Sequence, residues 1–340
     1  MQLIELKGSP YEIGFQHGRI FKERIKEWVP RYCRFEGWSA VQLESVRRRS
    51  EIYMMSFFPD LLEEMRGIAA GAEMKYEDIF LFNMFPSFPY LTPSCTCIAF
   101  KATDLGPMLG HNGDGGVGEP PTILRRTQLT SSDGYSSLTA SVWVGTVWGI
   151  GMNEHGFCLV CSSAHPVDTE NRDGICIWIL LKGVLQHCRN VTEAIELMSN
   201  CRIVGKGATV LVVDASGDAA VVEIAPHKAV TLRTESNAIW CTNHYTSGEI
   251  EYRDEPEYIA NSMGRYQKLT ELSETGGFEF SLEGMKRVLT DHDQPGAICQ
   301  HKDRGQIMET YLSMILLSKG RKILFADGAP CQNDYVEFEA

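Results

Sequence analysis

The sequence lacks any long apolar run. No stretch of its 340 residues reaches the roughly eighteen uninterrupted apolar positions that a membrane-spanning helix needs. The first residues, Met1 to Glu5, also lack the basic start and the apolar segment of a secretion signal. We therefore expect a cytoplasmic protein that has no membrane partner.

Positive charge is also scarce. The chain carries 32 Lys and Arg residues against 44 Asp and Glu residues, which gives a net charge of −12, and no basic block offsets it. Such a chain repels phosphate backbones, so we exclude nucleic acid as a partner. Linkers, repeats and low-complexity segments are absent as well, and the 44% apolar content is that of a globular protein with a large core.

Cysteine is abundant, but its arrangement lacks the pairing of a disulfide framework. The eleven cysteines are an odd number and are scattered, several of them within apolar runs such as Ile175 to Ile177. This is typical of buried thiols in a reducing compartment. Cys97 together with Cys158 and Cys161 suggests zinc ligands, but residues three apart in a strand point to opposite faces. We predict that these three thiols are core residues and that the chain binds no metal and no cofactor.

Helical spacing dominates the first ninety or so residues. Acidic, basic and apolar residues recur at helical intervals in Arg31 to Phe58 and again in Leu61 to Ala72. The small residues from Gly67 to Ala72 would let another element pack closely against this region. From Ser94 onwards the pattern changes to short apolar runs separated by turn residues, which predicts β-hairpins.

The hairpins and two helices define a fold class. The predicted strand pairs are Ile98 to Phe100 with Met108 to His111, Ser137 to Met152 with Phe157 to Cys161, Ala208 to Val213 with Ala219 to Ile224, and Ser313 to Leu317 with Lys322 to Ala326. Asn190 to Glu193 resembles a capping box that opens one helix, and Ser281 precedes another. Paired strands with helices between them predict an α+β fold, with antiparallel sheets covered by helices.

Cys95 has the strongest claim to be a nucleophile. It stands where an irregular Pro-containing stretch gives way to an apolar strand, so that its thiol can face an opening. Asn112 and Asp114 follow the next strand in a Gly-rich run, which lets a short carboxylate come close to a neighbouring group. Asn243, at the end of a strand from Ala238 to Thr242, supplies an amide donor of the kind that stabilises an oxyanion. We predict that these places converge.

A series of short motifs runs along nearly the whole chain. They are Gly8 to Arg19 with Pro10, Gly14 and Gly18, then Leu61 to Ala72, Cys95-Thr96, Asn112-Gly113-Asp114, Gly151 to Phe157, Asn243-His244-Tyr245, Ser262 to Arg265 and Ile298-Cys299-Gln300-His301. In this order they resemble the motifs of the acyl-coenzyme A:6-aminopenicillanate acyltransferase family, which belongs to the N-terminal-nucleophile hydrolase superfamily.

This resemblance implies a four-layer αββα sandwich, two antiparallel sheets covered by helices, made as one precursor. The precursor would cut itself between Ser94 and Cys95, and residues 1–94 and 95–340 would stay associated as a small and a large subunit of one globular domain. In one respect the chain departs from the acyltransferase, which has Gly where this chain has Ser94. Glycine lets a strained scissile peptide adopt unusual angles.

The resemblance also implies the chemistry. Cys95 Sγ attacks the Ser94 carbonyl, and water then frees the Cys95 amine, which accepts the thiol proton in turnover. A thioester acyl-enzyme follows from attack on a small N-acyl substrate, and water or an amine accepts the acyl group; an acyl thioester is a possible donor. Asn243 and a backbone N–H would hold the oxyanion, and Asp114 would orient the amine or the thiol. Thr96 and Asn112 are predicted to support the site.

Three other interpretations stay open. An unprocessed member would keep Cys95 in peptide linkage and stay inactive, and a binding or scaffold protein would keep the fold without the chemistry. A cysteine hydrolase could instead use His111 or His244 as a separate base. Arg265 and His301 are predicted to pack within the helical layer, outside the catalytic set.

Overall fold

The computed structural model describes residues 1–33, 39–84, 94–116, 122–131, 134–168 and 174–340. These residues form nine α-helices, one 3₁₀ helix (Lys302–Arg304) and sixteen strands. The helices are α1 (Pro10–Ile20), α2 (Lys22–Tyr32), α3 (Ala40–Phe57), α4 (Pro59–Ala72), α5 (Tyr76–Met84), α6 (Ile177–His187), α7 (Val191–Asn200), α8 (Pro256–Glu274) and α9 (Leu282–Thr290). The strands are β1 (Gln2–Gly8), β2 (Ser94–Phe100), β3 (Met108–Gly115), β4 (Ile123–Leu129), β5 (Ser137–Ser141), β6 (Ile150–Asn153), β7 (Cys158–Ala164), β8 (Ile175–Cys176), β9 (Ile203–Val204), β10 (Gly207–Val213), β11 (Ala219–Ala225), β12 (Lys228–Leu232), β13 (Ala238–Cys241), β14 (Glu309–Leu317), β15 (Lys322–Ala326) and β16 (Val336–Glu339).

Two large sheets face each other. The first has the strand order β1-β4-β5-β6-β7-β10-β11-β12, and the second has the order β13-β2-β3-β14-β15-β16. Pairing is antiparallel throughout both sheets, except that β1 lies parallel to β4 at the edge of the first. Strands β2 and β7 lie against each other across the interface between the sheets.

Helices cover both outer faces. Helices α1, α6 and α7 contact the first sheet, with α4 packed on α1, while α8 and α9 contact the second sheet. The core between the sheets is largely apolar, with side chains such as Leu109, Val160 and Leu211 that have no exposed surface. The four-layer αββα sandwich is therefore confirmed.

Glycines set the distance between α1 and α4. A Cβ added to Gly14 would lie 1.9 Å from the Glu64 carbonyl oxygen, and one added to Gly67 would lie 2.1 Å from the Tyr11 carbonyl oxygen. Only backbones without side chains at these crossings can approach so closely. The close packing predicted for the small residues from Gly67 to Ala72 is confirmed.

The four predicted hairpins are present, as β2–β3, β6–β7, β10–β11 and β14–β15. The turn between β6 and β7 shows why, because the Asn153 side chain accepts from the backbone N–H groups of His155 and Phe157. Gly156 closes this turn with a φ of +74°, which glycine adopts without strain. The helices after Asn190 and Ser281 are also confirmed, since each of these residues caps its helix through its side chain.

Other expectations were wrong. The first ninety residues are not only helical, because β1 precedes α1. The helix predicted from Arg31 to Phe58 is shorter: α3 begins at Ala40, while Arg31 and Tyr32 end α2. Residues 34–38 lie outside the described range. Ser137 to Met152 forms β5 and β6 rather than one strand, and α6 and α8 were not predicted. Pro93 also lies outside the described residues. None of the described helices combines the length and the apolar character needed to cross a membrane.

Candidate active site

On the side of β2 away from β3, the backbone groups of Cys95 have no neighbouring strand, because β13 ends before it reaches them. Strand β13 pairs with β2 only from Phe100 to Cys97, so the N–H and C=O of Cys95 need other partners. Its N–H donates to Asn243 Oδ1 at 2.7 Å, and its carbonyl accepts from Arg265 Nη1 at 2.5 Å and from Ser162 Oγ at 3.2 Å. Side chains thus hold both backbone groups of the predicted nucleophile.

Asn243 presents its amide oxygen to the Cys95 nitrogen. The same oxygen accepts a second hydrogen bond from Arg265 Nη2 at 2.9 Å, while the amide nitrogen donates to the Ser163 carbonyl at 3.0 Å. The backbone N–H of Asn243 donates to Ser262 Oγ at 2.7 Å. Because two donors meet at Oδ1 and an acceptor meets Nδ2, the orientation of the amide is determined by its surroundings.

Arg265 lies at the centre of the site, although it was left out of the predicted catalytic set. It projects from α8 and has no exposed surface. In addition to its bonds to Cys95 and Asn243, it donates to Ser94 Oγ at 2.6 Å, Thr96 Oγ1 at 3.0 Å and Asn261 Oδ1 at 3.0 Å. One guanidinium therefore contacts both residues of the Ser94–Cys95 peptide bond.

The Ser94 hydroxyl belongs to a buried polar network. It donates to Asn261 Oδ1 at 3.0 Å and accepts from Gln300 Nε2 at 3.1 Å. Gln300 Nε2 also donates to Asp114 Oδ2 at 2.7 Å, and its own Oε1 accepts from Asn261 Nδ2 at 2.8 Å. The serine at this position is thus hydrogen-bonded on both sides, a role that glycine could not fill.

Cys95 and Asp114 point to opposite faces of their sheet. Ser94 is the cross-strand partner of Asp114, so these two side chains share the face that α8 covers. Cys95, one residue further along the strand, points to the other face, as does Cys97, whose Sγ lies 3.4 Å from Ser162 Oγ of the facing sheet. The Gly-rich run was predicted to follow a strand, but Asn112 and Asp114 lie within β3 itself.

Burial dominates the protonation of the Cys95 thiol. The residue is only 6% exposed, and burial, together with the negative charge of Asp114, raises its pKa to about 12. A hydrogen bond from the Asp114 backbone N–H and the positive charge of Arg265 act in the opposite direction. With Cys95 in peptide linkage the thiol is therefore protonated at neutral pH, and its proton has to move to another group when the sulfur attacks.

Asp114 is fully buried, and this raises its pKa to about 7. Three groups stabilise the carboxylate against that effect: the Arg265 charge, the Thr310 hydroxyl that donates to Oδ1 at 2.5 Å, and the Gln300 amide. Its ordinary pKa is near 4. Around neutral pH the carboxylate thus exists in both protonation states.

The predicted supporting residues fall into two groups. Thr96 belongs to the site, because its hydroxyl accepts from Arg265. Asn112 instead joins the sheet to the helical layer, since its Nδ2 donates to the carbonyls of Leu289 and Ile298 and its Oδ1 accepts from Ser313.

Neither predicted histidine has Cys95 as a hydrogen-bond partner among the described contacts. His111 Nδ1 lies 3.4 Å from Cys97 Sγ, and burial lowers the pKa of this imidazole to about 3. His244 Nδ1 lies 2.8 Å from Ser262 Oγ, and burial and the Arg265 charge lower its pKa to about 4. Both rings are neutral at physiological pH and lie within structural contacts.

Sequence reasoning missed Arg265, Asn261 and Gln300. Arg265 and Gln300 stand within motifs that the sequence analysis quoted, Ser262 to Arg265 and Ile298 to His301. The signal was therefore present as a resemblance. What was absent from the sequence was the geometry, because α8 and the segment before β14 reach the site from more than 150 residues away along the chain.

One large cleft is separate from this site. It has a volume of about 800 Å³ and is lined by residues of α1, α3, α4 and α6, among them Tyr11, Phe57, Asp60 and His187. None of the residues that contact Cys95 lines it. Its size alone therefore gives no reason to assign the chemistry there.

Residues 102–331 match the family model described as acyl-coenzyme A:6-aminopenicillanic acid acyl-transferase. Asp114, Asn243 and Arg265 lie within this match, whereas Cys95 lies just before it. The chain is 23% identical to the 40 kDa form of acyl-coenzyme A:6-aminopenicillanic-acid-acyltransferase of Emericella nidulans, over 97% of this chain and 94% of that protein. It is also 22% identical to the protein dcd1B of Dictyostelium discoideum, over 59% of this chain and 45% of that protein.

Solved structures give weaker similarity. Penicillin V acylase from Agrobacterium tumefaciens aligns with a TM-score of 0.40 and 19% identity, over 68% of this chain and 83% of its own. A variant of conjugated bile acid hydrolase from Clostridium perfringens aligns with a TM-score of 0.43 and 12% identity, over 72% of this chain and 97% of its own. At these scores neither match bears on the chemistry.

Proposed function

Because the chain belongs to the acyl-coenzyme A:6-aminopenicillanic acid acyl-transferase family, we propose that it is a self-processing N-terminal cysteine enzyme. It hydrolyses or transfers the acyl group of a small N-acyl compound through a thioester on Cys95. The observation that carries this proposal is the double hold on the Ser94–Cys95 bond. Arg265 contacts both residues, and Asn243 Oδ1 accepts from the nitrogen that would become the new amine.

Self-processing begins with an acyl shift. Cys95 Sγ attacks the Ser94 carbonyl carbon, the C–N bond breaks, and the thiol proton is transferred to the leaving Cys95 nitrogen. Asn243 Oδ1 accepts a hydrogen bond from this nitrogen in the uncut chain and holds it as it becomes an amine. Water then hydrolyses the thioester, which leaves a carboxylate on Ser94 and a free thiol on Cys95.

Turnover uses the new amine as the base. An α-amine has an ordinary pKa of about 8, and the Arg265 charge, which shares Asn243 Oδ1 with it, disfavours its protonated form. The neutral amine takes the thiol proton as Sγ attacks the substrate amide, and the amine of the substrate leaves with that proton. Water or an amine acceptor then takes the acyl group, and an acyl thioester donor would form the same acyl-enzyme by exchange.

The predicted role of Asn243 as an oxyanion donor stays a prediction. Its amide nitrogen donates to the Ser163 carbonyl, while its oxygen serves the Cys95 nitrogen, so the contacts support a positioning role as well. Asp114 supports the same centre indirectly, because Gln300 joins its carboxylate to the Ser94 hydroxyl.

Intact mass after expression tests the proposal. We expect two fragments, one ending at Ser94 and one beginning at Cys95, from the wild-type chain and from Cys97→Ala, which removes the neighbouring thiol on the same face of β2. Cys95→Ala should give one uncut species that is inactive on a panel of acyl p-nitroanilides. Fragments at the same bond in Cys95→Ala, or full activity in an uncut wild-type chain, would refute self-processing by this thiol.

A further inference from the structure

Three potential metal ligands, Cys299, His301 and Cys331, lie close together beside Gln300. Cys299 Sγ and His301 Nε2 lie 3.4 Å apart, His301 Nε2 and Cys331 Sγ lie 3.1 Å apart, and the two sulfur atoms lie 3.7 Å apart. Cys331 comes from the loop between β15 and β16, so two separate chain segments meet here. All three ligand atoms lie within 4.8 Å of one another.

Two of these three distances match those around one tetrahedral ion. With Zn–S bonds of about 2.3 Å and a Zn–N bond of about 2.0 to 2.1 Å, tetrahedral angles put two sulfur ligands about 3.8 Å apart and sulfur and nitrogen about 3.6 Å apart. The observed sulfur–sulfur distance of 3.7 Å and the Cys299–His301 distance of 3.4 Å are close to these values, whereas the Cys331–His301 distance of 3.1 Å is shorter, so Cys331 would move slightly away from the ring on binding. It is much longer than the roughly 2.05 Å of a disulfide, and a disulfide would give His301 no partner role.

The second nitrogen of the His301 ring has the neighbour that metal-binding histidines usually have. Its Nδ1 lies 3.5 Å from Glu309 Oε1, and the other carboxylate oxygen of Glu309 accepts from the Lys302 backbone N–H at 2.9 Å. A carboxylate beside the far ring nitrogen favours the tautomer that leaves Nε2 free to accept a metal ion. This contact is independent of the two thiols.

We propose that Cys299, His301 and Cys331 bind one zinc ion. Among the common divalent metals of the cell, zinc is the one that most often binds two thiolates and an imidazole. Cys299 and His301 are buried, whereas Cys331 lies at the surface, so a water molecule has access to the fourth position. The prediction from sequence that the chain binds no metal considered Cys97, Cys158 and Cys161 and did not consider this trio.

The position of the trio links it to the candidate active site. Gln300 stands between two of the ligands in sequence, and its side chain points the other way, to Ser94 Oγ and Asp114 Oδ2. An ion that fixes Cys299 and His301 also fixes the backbone from which Gln300 reaches these groups. This consequence rests on the proposed function, whereas zinc binding itself does not.

Metal analysis of the purified full chain tests the site. After growth with added zinc and dialysis, we expect about one zinc ion per chain in the wild type and in the control Cys33→Ser, which removes a thiol outside the trio. For Cys331→Ser and His301→Asn we expect the zinc content per chain to fall to about one tenth of the wild-type value or below. Because Cys331 is at the surface, its variant should fold normally, which circular dichroism checks.

Cobalt gives a second readout that does not depend on activity. Titrating the metal-free protein with Co²⁺ should produce thiolate-to-cobalt charge-transfer absorption and the intense visible bands of a tetrahedral site in the wild type and not in Cys331→Ser. The proposal would be overturned by wild-type protein that contains no zinc after growth with zinc, or by equal zinc contents in all variants. A Cys299–Cys331 disulfide that persists in protein purified with a reductant would also overturn it. Loss of zinc binding with intact cleavage at Ser94 would remove only the link to the active site.

Discussion

Arg265 uses its whole hydrogen-bonding capacity in one place. Its three nitrogens donate to Cys95, Thr96, Ser94, Asn243 and Asn261, which matches the five N–H donors of a guanidinium. A lysine keeps the charge but offers three donors from a single atom, so it cannot reproduce this planar set.

We therefore expect Arg265→Lys to slow cleavage at Ser94 by on the order of 100-fold, the cost of a small misplacement of reacting groups. Time-resolved intact mass measures the rate. Arg287→Lys, on the exposed side of α9, is the matched control and should process at the wild-type rate. If Arg265→Lys cleaves as fast as this control, the guanidinium does not position the bond.

Asp114 makes the stability of the protein depend on pH in an unusual direction. Burial raises its pKa to about 7 in the folded state, above its value in the unfolded chain, so the folded protein holds this proton more tightly. The contribution is therefore fully present below about pH 4 and is lost as the pH rises through 7. Arg265, Glu309 and Cys95 are the charged or titratable groups that act on it.

The neutral variant Asp114→Asn should lack this loss. We expect its free energy of unfolding, relative to that of the wild type, to increase by a few kcal/mol between pH 5 and pH 8. Urea unfolding of cleavage-deficient Cys95→Ala with and without the second substitution, at both values of pH, measures the difference. A constant difference across this range would show that the carboxylate does not titrate there.

Individual site residues were predictable where a motif marked them. Cys95 lies near the start of β2, Asp114 near the end of β3 and Asn243 just after β13, so local pattern and resemblance both pointed to them, although their roles stay predictions. Arg265 and Gln300 could not be placed, because their contacts depend on how α8 and the segment before β14 fold back onto β2. No local pattern encodes such a long-range contact.

Helix α1 depends on its glycines rather than on helix propensity. In an exposed helix, Gly→Ala would stabilise by about 1 kcal/mol. At Gly14 the added Cβ would instead lie 1.9 Å from the Glu64 carbonyl oxygen, which is a collision. Helix α1 would have to move away from α4.

Gly14→Ala should thus lower the free energy of unfolding by more than about 2 kcal/mol, as overpacking does in a tight core. Gly320→Ala is the control, since it lies in the β14–β15 turn and its nearest neighbour would be 3.8 Å away. Urea unfolding of both variants measures the effect. Equal stability of the two would mean that the crossing of α1 and α4 can relax.

Strands and helices were predictable to different degrees for physical reasons. The hairpins were found because residues such as Asn153 and Gly156 make turns in almost any context. Strand β1 was missed although Ile4, Leu6 and Gly8 alternate on its buried face, because it has no hairpin partner nearby and pairs with distant β4. Helix α6 was missed because it is buried almost throughout, and even its polar residues Lys182 and Gln186 lie in the interior, so they do not mark a solvent-exposed face.

The two proposed subunits share one core. Strand β1 pairs with β4, and residues from before Ser94, such as Leu61 and Phe80, belong to the same buried cluster as Leu124 and Val210. Separating them would expose this apolar surface to water, which is unfavourable.

After cleavage, we expect both fragments to migrate together in native size-exclusion chromatography and to separate only in denaturant. A matched run of uncut Cys95→Ala gives the elution volume of the intact chain. Elution of residues 1–94 apart from residues 95–340 without denaturant would contradict the shared core.

The burial of Cys95 has a consequence for when the protein works. Under the proposed self-processing, a sulfur atom with so little contact with solvent is closed to external amides until the peptide bond before it is cut, and the newly made polypeptide would be a zymogen. In that proposal the activation involves groups of one molecule only and would follow first-order kinetics. The delay between synthesis and activity is then an intrinsic clock, unaffected by how much of the protein a cell produces.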